Sequence, residues 1–199
     1  MNISSIKPIV SKNSSKPRRR VLAALLLAAL AVAIVAGSAL AANLVVNGSF
    51  EKDTDGNGVP NQWILNDDSG ADTRVCNQSY VGACSFKMVG AGAEIFLIQI
   101  TGLSGGGGDS FKLSFWARGK NIDLGTTGIL TIYVIIDHTD DVFTDTFNQN
   151  ITPGNTPWTK YVLELTATED YEQLIVEIFQ DDLAGGKAWF DKVKLVAVP

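Results

Sequence analysis

Apolar and polar residues alternate along most of the chain beyond residue 90. In KLSFWAR (112–118), Leu113, Phe115 and Ala117 fall on one side, with Ser114, Trp116 and Arg118 on the other. KYVLELTA (160–167) and QLIVEIFQ (173–180) repeat the pattern, while LTIYVIID (130–137) is rich in β-branched and aromatic residues. AEIFLIQI (93–100) and AWFDKVKLV (188–196) complete the set. A period of two marks strands with one buried face. The turn-forming stretches TPGNTP, LAGG and GAG separate them at short spacing. No segment past residue 42 has a long helical period. The pattern predicts an all-β domain built as an antiparallel β-sandwich, a jelly roll.

Residues 1–42 have a different composition. Lys7, Lys12, Lys16, Arg18, Arg19 and Arg20 precede an uncharged apolar run from Val21 to Ala42, which contains the small-residue site Ala39-Leu40-Ala41. This is the make-up of a secretory signal peptide. The alternative is an uncleaved N-terminal membrane anchor, since about 20 apolar residues span a bilayer. Membrane contact is expected only through this segment, if it is retained. On either reading residues 43–199 form one domain outside the cytoplasm, secreted or held at the cell surface.

Taking the leader away changes the charge. Its six cations leave ten of the chain's 16 Lys and Arg against all 21 Asp and Glu, a net charge of about −11. Such acidity argues against a nucleic-acid partner, whose binding requires phosphate neutralisation. Cys76 and Cys84 both lie in the exported part, with NQSYVGA between them. An even count outside the cell predicts a disulfide closing a short loop.

The stretch NLVVNGSFEKDTDGNGVPNQW (43–63) holds the metal candidates. Asp53, Asp55 and Asn57 stand at alternate positions among glycines, a spacing that can aim oxygens at calcium. The twelfth position counted from Asp53 is Ile64, where an EF-hand requires a bidentate Glu, so an EF-hand is excluded. A plain acidic turn is the other reading. NLVV and NGSFE read as a first strand and FDKVKL (190–195) as the last. Paired side by side, they would bring Glu51 and Asp191 over one cation, with Lys192 or Lys112 as the alternative partner for Asp191.

The order NLVVNGSFE, Trp63, ACSFKM, LIQI, KLSFWARG, PWTKYVLELT, AWFDKVKL resembles the carbohydrate-binding modules of families four, nine and twenty-two. The resemblance implies a β-jelly-roll with a structural calcium, whose ligands map onto Glu51 and Asp191, and a concave sheet that binds a polysaccharide or surface glycan.

Sugar recognition needs flat aromatics for pyranose faces and planar amides, carboxylates or Arg for hydroxyls. Parity nominates Gln99, Trp116, Arg118, Tyr133, Asp137, Glu177 and Phe179 as one converging face. Trp116 and Phe179 have the core as their alternative; Trp63, Trp158 and Trp189 read as structural. No GxSxG occurs, and His138 is the only histidine. The expectation is a non-catalytic glycan-binding module, the alternative a cell-surface or matrix interaction protein on the same fold.

Overall fold

The computed structural model describes residues 42–67, 70–90, 94–139 and 144–199. The leader expected over residues 1–42 lies outside these apart from Ala42, as do Ala91 and Gly92 of the GAG turn. Two five-stranded antiparallel sheets stack face to face, with no helix among the described residues. The front sheet runs β1 (Ile64–Asn66), β4 (Ile95–Ile100), β9 (Tyr171–Asp181), β6 (Ile129–His138) and β7 (Thr144–Asn150). The back sheet runs β2 (Thr73–Val75), β3 (Ser85–Val89), β10 (Gly185–Val198), β5 (Ser110–Asp123) and β8 (Gly154–Thr166). The predicted sandwich is the observed one.

Each long strand buries every second side chain. In β5 burial alternates from Phe111 to Gly119, so Leu113, Phe115 and Ala117 point inward. They meet Leu97, Ile132, Val134, Val176 and Ile178 of the front sheet in one core. An aligned sandwich needs this arrangement, because two inner faces share one apolar layer.

The first segment departs from expectation. NLVV and NGSFE form bends and turns rather than a strand. They still lie against β10: the Leu44 amide donates to Leu195 O at 2.8 Å and the Val193 amide to Gly48 O at 2.8 Å. Gly48 is required at this contact, since a Cβ there would come 2.1 Å from Val193 O. Asn47 and Phe50 adopt φ of 51° and 57°, a conformation no continuous strand allows. Opposite them β10 carries a bulge between Asp191 and Lys194, with Lys192 at φ 53°. The bulge lets Phe190 and Val193 both stay buried on the core side.

Candidate functional site

The outer face of the front sheet gathers four of the expected sugar contacts. Tyr133 stands opposite Glu177 on β9 and opposite Asn148 on β7. Phe179 lies between Phe96 and Thr131 in register. The Tyr133 and Phe179 rings pack edge to face, 5.7 Å apart at 62°. Asp137 lies further along β6, and its Oδ2 accepts the Gln173 side-chain amide at 2.6 Å. Burial pushes the Glu177 carboxyl up, and the charge of Glu94 adds to the rise. Beside Tyr133 a cleft of about 420 Å³ is lined by Asn148, Asn150, Leu124, Ile129 and Pro153. Flat rings beside carboxylates and planar amides suit C–H contacts and paired hydroxyl hydrogen bonds.

Asn148 and Asn150 were not nominated from sequence. Their strand, TDTFNQN, has a single apolar residue, Phe147, on its inner side. With one hydrophobic position, a polar edge strand shows almost no period-two signal. Alternation of Thr144, Thr146, Asn148 and Asn150 was the only sign available.

Three nominated residues stand elsewhere. Gln99 is buried, 3% exposed, on the inner side of β4. Its Oε1 accepts the Val46 amide at 2.7 Å and its Nε2 donates to Val46 O at 2.8 Å. Polarity alone puts a glutamine of an apolar run outward; here the turn at 44–49 satisfies both ends of the amide, so it can be buried. Trp116 and Arg118 face outward as expected, but from the back sheet, across the core from Tyr133. Trp116 is half-buried, its ring stacked on Tyr80 at 3.7 Å and 14°. Arg118 lies 5.7 Å over the Trp189 ring. The seven residues therefore do not converge on one face.

Glu51 and Asp191 do face a common loop, the one closed by the disulfide between Cys76 and Cys84. Glu51 Oε1 accepts the amides of Ala83 (3.0 Å) and Cys84 (3.2 Å). Asp191 Oδ2 accepts those of Tyr80 (2.8 Å) and Val81 (2.9 Å), and Oδ1 that of Lys192 (2.6 Å). Neither lysine considered for Asp191 takes the role: Lys112 pairs with Glu164 at 2.7 Å, and the Lys192 ammonium lies over Tyr80. Burial pushes the Asp191 carboxyl up; three amides act against it, and the charge of Glu51 adds to the rise. A cation shared by the two acids would relieve that repulsion, so the pair fits calcium in charge. Arg74 already brings one positive charge to this segment, donating to the carbonyls of Phe50 and Glu51.

The DTDGNG loop is tied by its own side chains. Asp53 accepts the Gly56 and Gly58 amides at 2.9 and 3.1 Å, and Asn57 Oδ1 accepts the Val59 amide at 2.7 Å. Asp55 Oδ2 accepts the Asn57 side-chain amide at 3.0 Å. These side chains sit in successive tight turns, and their hard oxygens are of the kind calcium selects.

A search of curated proteins finds no match to the chain. Solved structures share its fold. A family 61 module in complex with β-1,4-galactotriose is 14% identical with a TM-score of 0.53, covering 79% of this chain and 99% of that one. A family 16 carbohydrate-binding module is 21% identical with a TM-score of 0.55, covering 77% and 99%. The CBM22-1 xylan-binding domain of Paenibacillus barcinonensis Xyn10C is 14% identical with a TM-score of 0.53, covering 81% and 98%. The family model for the carbohydrate binding domain of families 4 and 9 matches residues 42–184, so the chain belongs to this family of carbohydrate-binding domains.

Proposed function

We propose that the outer face of the front sheet binds a polysaccharide chain without cleaving it, in a protein that works outside the cytoplasm. Tyr133 and Phe179 form the stacking surface, while Glu177, Asp137, Asn148 and Asn150 read hydroxyl groups. The observation that carries the reading is the Tyr133–Phe179 ring pair flanked by Glu177, on a sheet face that has no Lys or Arg. The family match supports a sugar as the ligand. The sugars named for two structural neighbours, β-1,4-galactotriose and xylan, make neutral β-linked chains the first ligands to try. The disulfide supports export, since such bonds persist in oxidising compartments. Calcium is proposed as a structural ion, between Glu51 and Asp191 and in the Asp53, Asp55 and Asn57 loop.

Titration calorimetry of residues 43–199 with galactan and xylan tests the binding. Wild type is expected to bind at least one, and Tyr133→Ala to lose at least about tenfold in affinity, as for a buried aromatic anchor. Its melting temperature should change little, because Tyr133 points away from the core. Binding unaffected by Tyr133→Ala, or no binding of any polysaccharide, overturns the assignment; the second result favours an interaction protein on the same fold. Reducing-sugar release from either polymer would overturn the non-catalytic part.

A further inference from the structure

The cations of this domain are sorted by face. From Asn43 onward, every lysine and arginine except Lys52 and Arg74 stands on the outer side of the back sheet. Strand parity puts Lys112, Arg118 and Lys120 of β5 there, beside Lys160, Lys187 and Lys194 of the neighbouring strands. The Lys192 ammonium reaches the same side, 6.0 Å from the centre of the Tyr80 ring. Little on this face balances them. Lys112 with Glu164 is the only Lys or Arg ion pair with a carboxylate among the described residues. Asp191 is buried beneath the 76–84 loop with three amides on its oxygens.

The arrangement has a cost. Lys120 and Lys187 stand directly opposite each other across β5 and β10, and like charges at such positions destabilise a sheet. On a domain with a net charge of about −11, scattering the cations among the acids would be more stable. A surplus concentrated on one face is what a polyanion would use.

Aromatic rings lie among these charges. Tyr80, 39% exposed, stacks on Trp116, and Trp158 stands 6.0 Å from Tyr80. Trp158 also lines an open cleft of about 520 Å³ together with Arg118, Lys120, Asn155 and Thr156. Ring faces, planar amides and cations at one cleft match a pyranose polymer that carries anions along its length. A nucleic acid is more densely charged, and the acidic remainder of the domain repels it more strongly.

We infer that the outer face of the back sheet is a second binding surface, for an acidic polysaccharide of uronate or sulfated sugars. Arg118 and Lys120 pair with its anions, and Trp158 and Tyr80 stack on its rings. This surface is separate from the one proposed around Tyr133, and neither depends on the other.

The test is calorimetry of residues 43–199 with polygalacturonate and with heparin, at low and high salt. Wild type should bind at least one of them, with affinity falling as salt rises. The double variant Arg118→Gln, Lys120→Gln should lose about tenfold or more at low salt, from two surface charges facing an anionic polymer. Trp158→Ala should weaken binding at both salt levels, and Tyr133→Ala should leave it unchanged. All variants are checked for an unaltered melt. Failure of both polymers to bind, or wild-type affinity in both the double variant and Trp158→Ala, overturns the proposal. So does binding of single-stranded DNA or phosphatidylserine vesicles in place of the polysaccharides, or self-association through the same residues. Loss of neutral-glycan binding in Tyr133→Ala reads the other face alone, so the two assignments fail separately.

Discussion

At the scale of single residues, Asp72 governs a pH response. It is 3% exposed; one oxygen accepts the Val89 amide and the other, Oδ2, has no hydrogen-bond partner. Burial pushes its carboxyl from 3.8 up to about 6, with Asp67 adding to the rise. The folded state thus keeps a proton that the unfolded chain has released. Stability from this group is full below about pH 4 and falls as pH rises through about 6, by about 2–3 kcal/mol in all. Asp72→Asn should flatten this decline and stabilise the domain at neutral pH, as read by urea unfolding at pH 4 and 7; an unchanged slope would refute it. Gln99 gives a second expectation. Gln99→Ala strands both polar groups of Val46 and leaves a cavity, and should cost about 2–4 kcal/mol. A cost below half a kcal/mol, on the scale of an ordinary surface change, would mean that water replaces the amide.

At the scale of elements, the 76–84 loop joins the two ends of the domain. Cys76 and Cys84 close it, Glu51 and Asp191 accept its amides, and Tyr80 at its tip stacks on Trp116. Gly82 at φ 69° has no room for a Cβ, which would meet Glu51 Oε1 at 2.1 Å. Removing the bond with Cys76→Ser, Cys84→Ser should cost about 2–3 kcal/mol by releasing a short loop. It should also raise the solvent quenching of Trp116 fluorescence as Tyr80 comes free. Native-like quenching would mean that the acids hold the loop unaided. The same region tests calcium. Chelation should lower the melting temperature if an ion is bound, because ligand binding is linked to folding. Asp55→Ala should remove the part due to the 53–57 loop and Asp191→Ala the part due to the other pair. Identical wild-type melts with and without chelator would exclude both.

At the scale of the whole molecule, the two outer faces differ in kind. The front carries Tyr133, Phe179, Glu177 and Asp137; the back carries Trp116, Trp158 and nearly all the cations. A shared, close-packed core separates them, with Leu113 and Phe115 on one side and Ile132 and Val176 on the other. Neither site contains a residue of the other. A domain saturated with a neutral glycan should therefore bind an acidic polymer with its affinity unchanged, measured by calorimetry of the preloaded complex. Competition between the two polymers would show that a single face serves both.

The sequence by itself determined the long strands that have one apolar and one polar side. Wherever one side is apolar and the other polar, as in KLSFWAR and QLIVEIFQ, alternation assigns each residue to core or surface, and the assignments of Trp116, Arg118, Glu177 and Phe179 hold. The disulfide followed from an even count of cysteines in a segment whose preceding residues read as a secretory leader. Where both sides are apolar, as in IFLIQI, alternation has no phase, and Gln99 lies inside because Val46 can satisfy its amide. Where both sides are polar, as in TDTFNQN, there is no pattern to find, and Asn148 and Asn150 stayed hidden. Only the tertiary structure decided which sheet each strand joins. A period of two is a local property of one chain segment, whereas sheet membership is set by pairing across long separations, such as β4 with β9 or β3 with β10. A sandwich has two outward faces that look alike along any single strand. Trp116 and Tyr133 therefore carry the same local signature, and only the long-range pairing places them on opposite sides of the core.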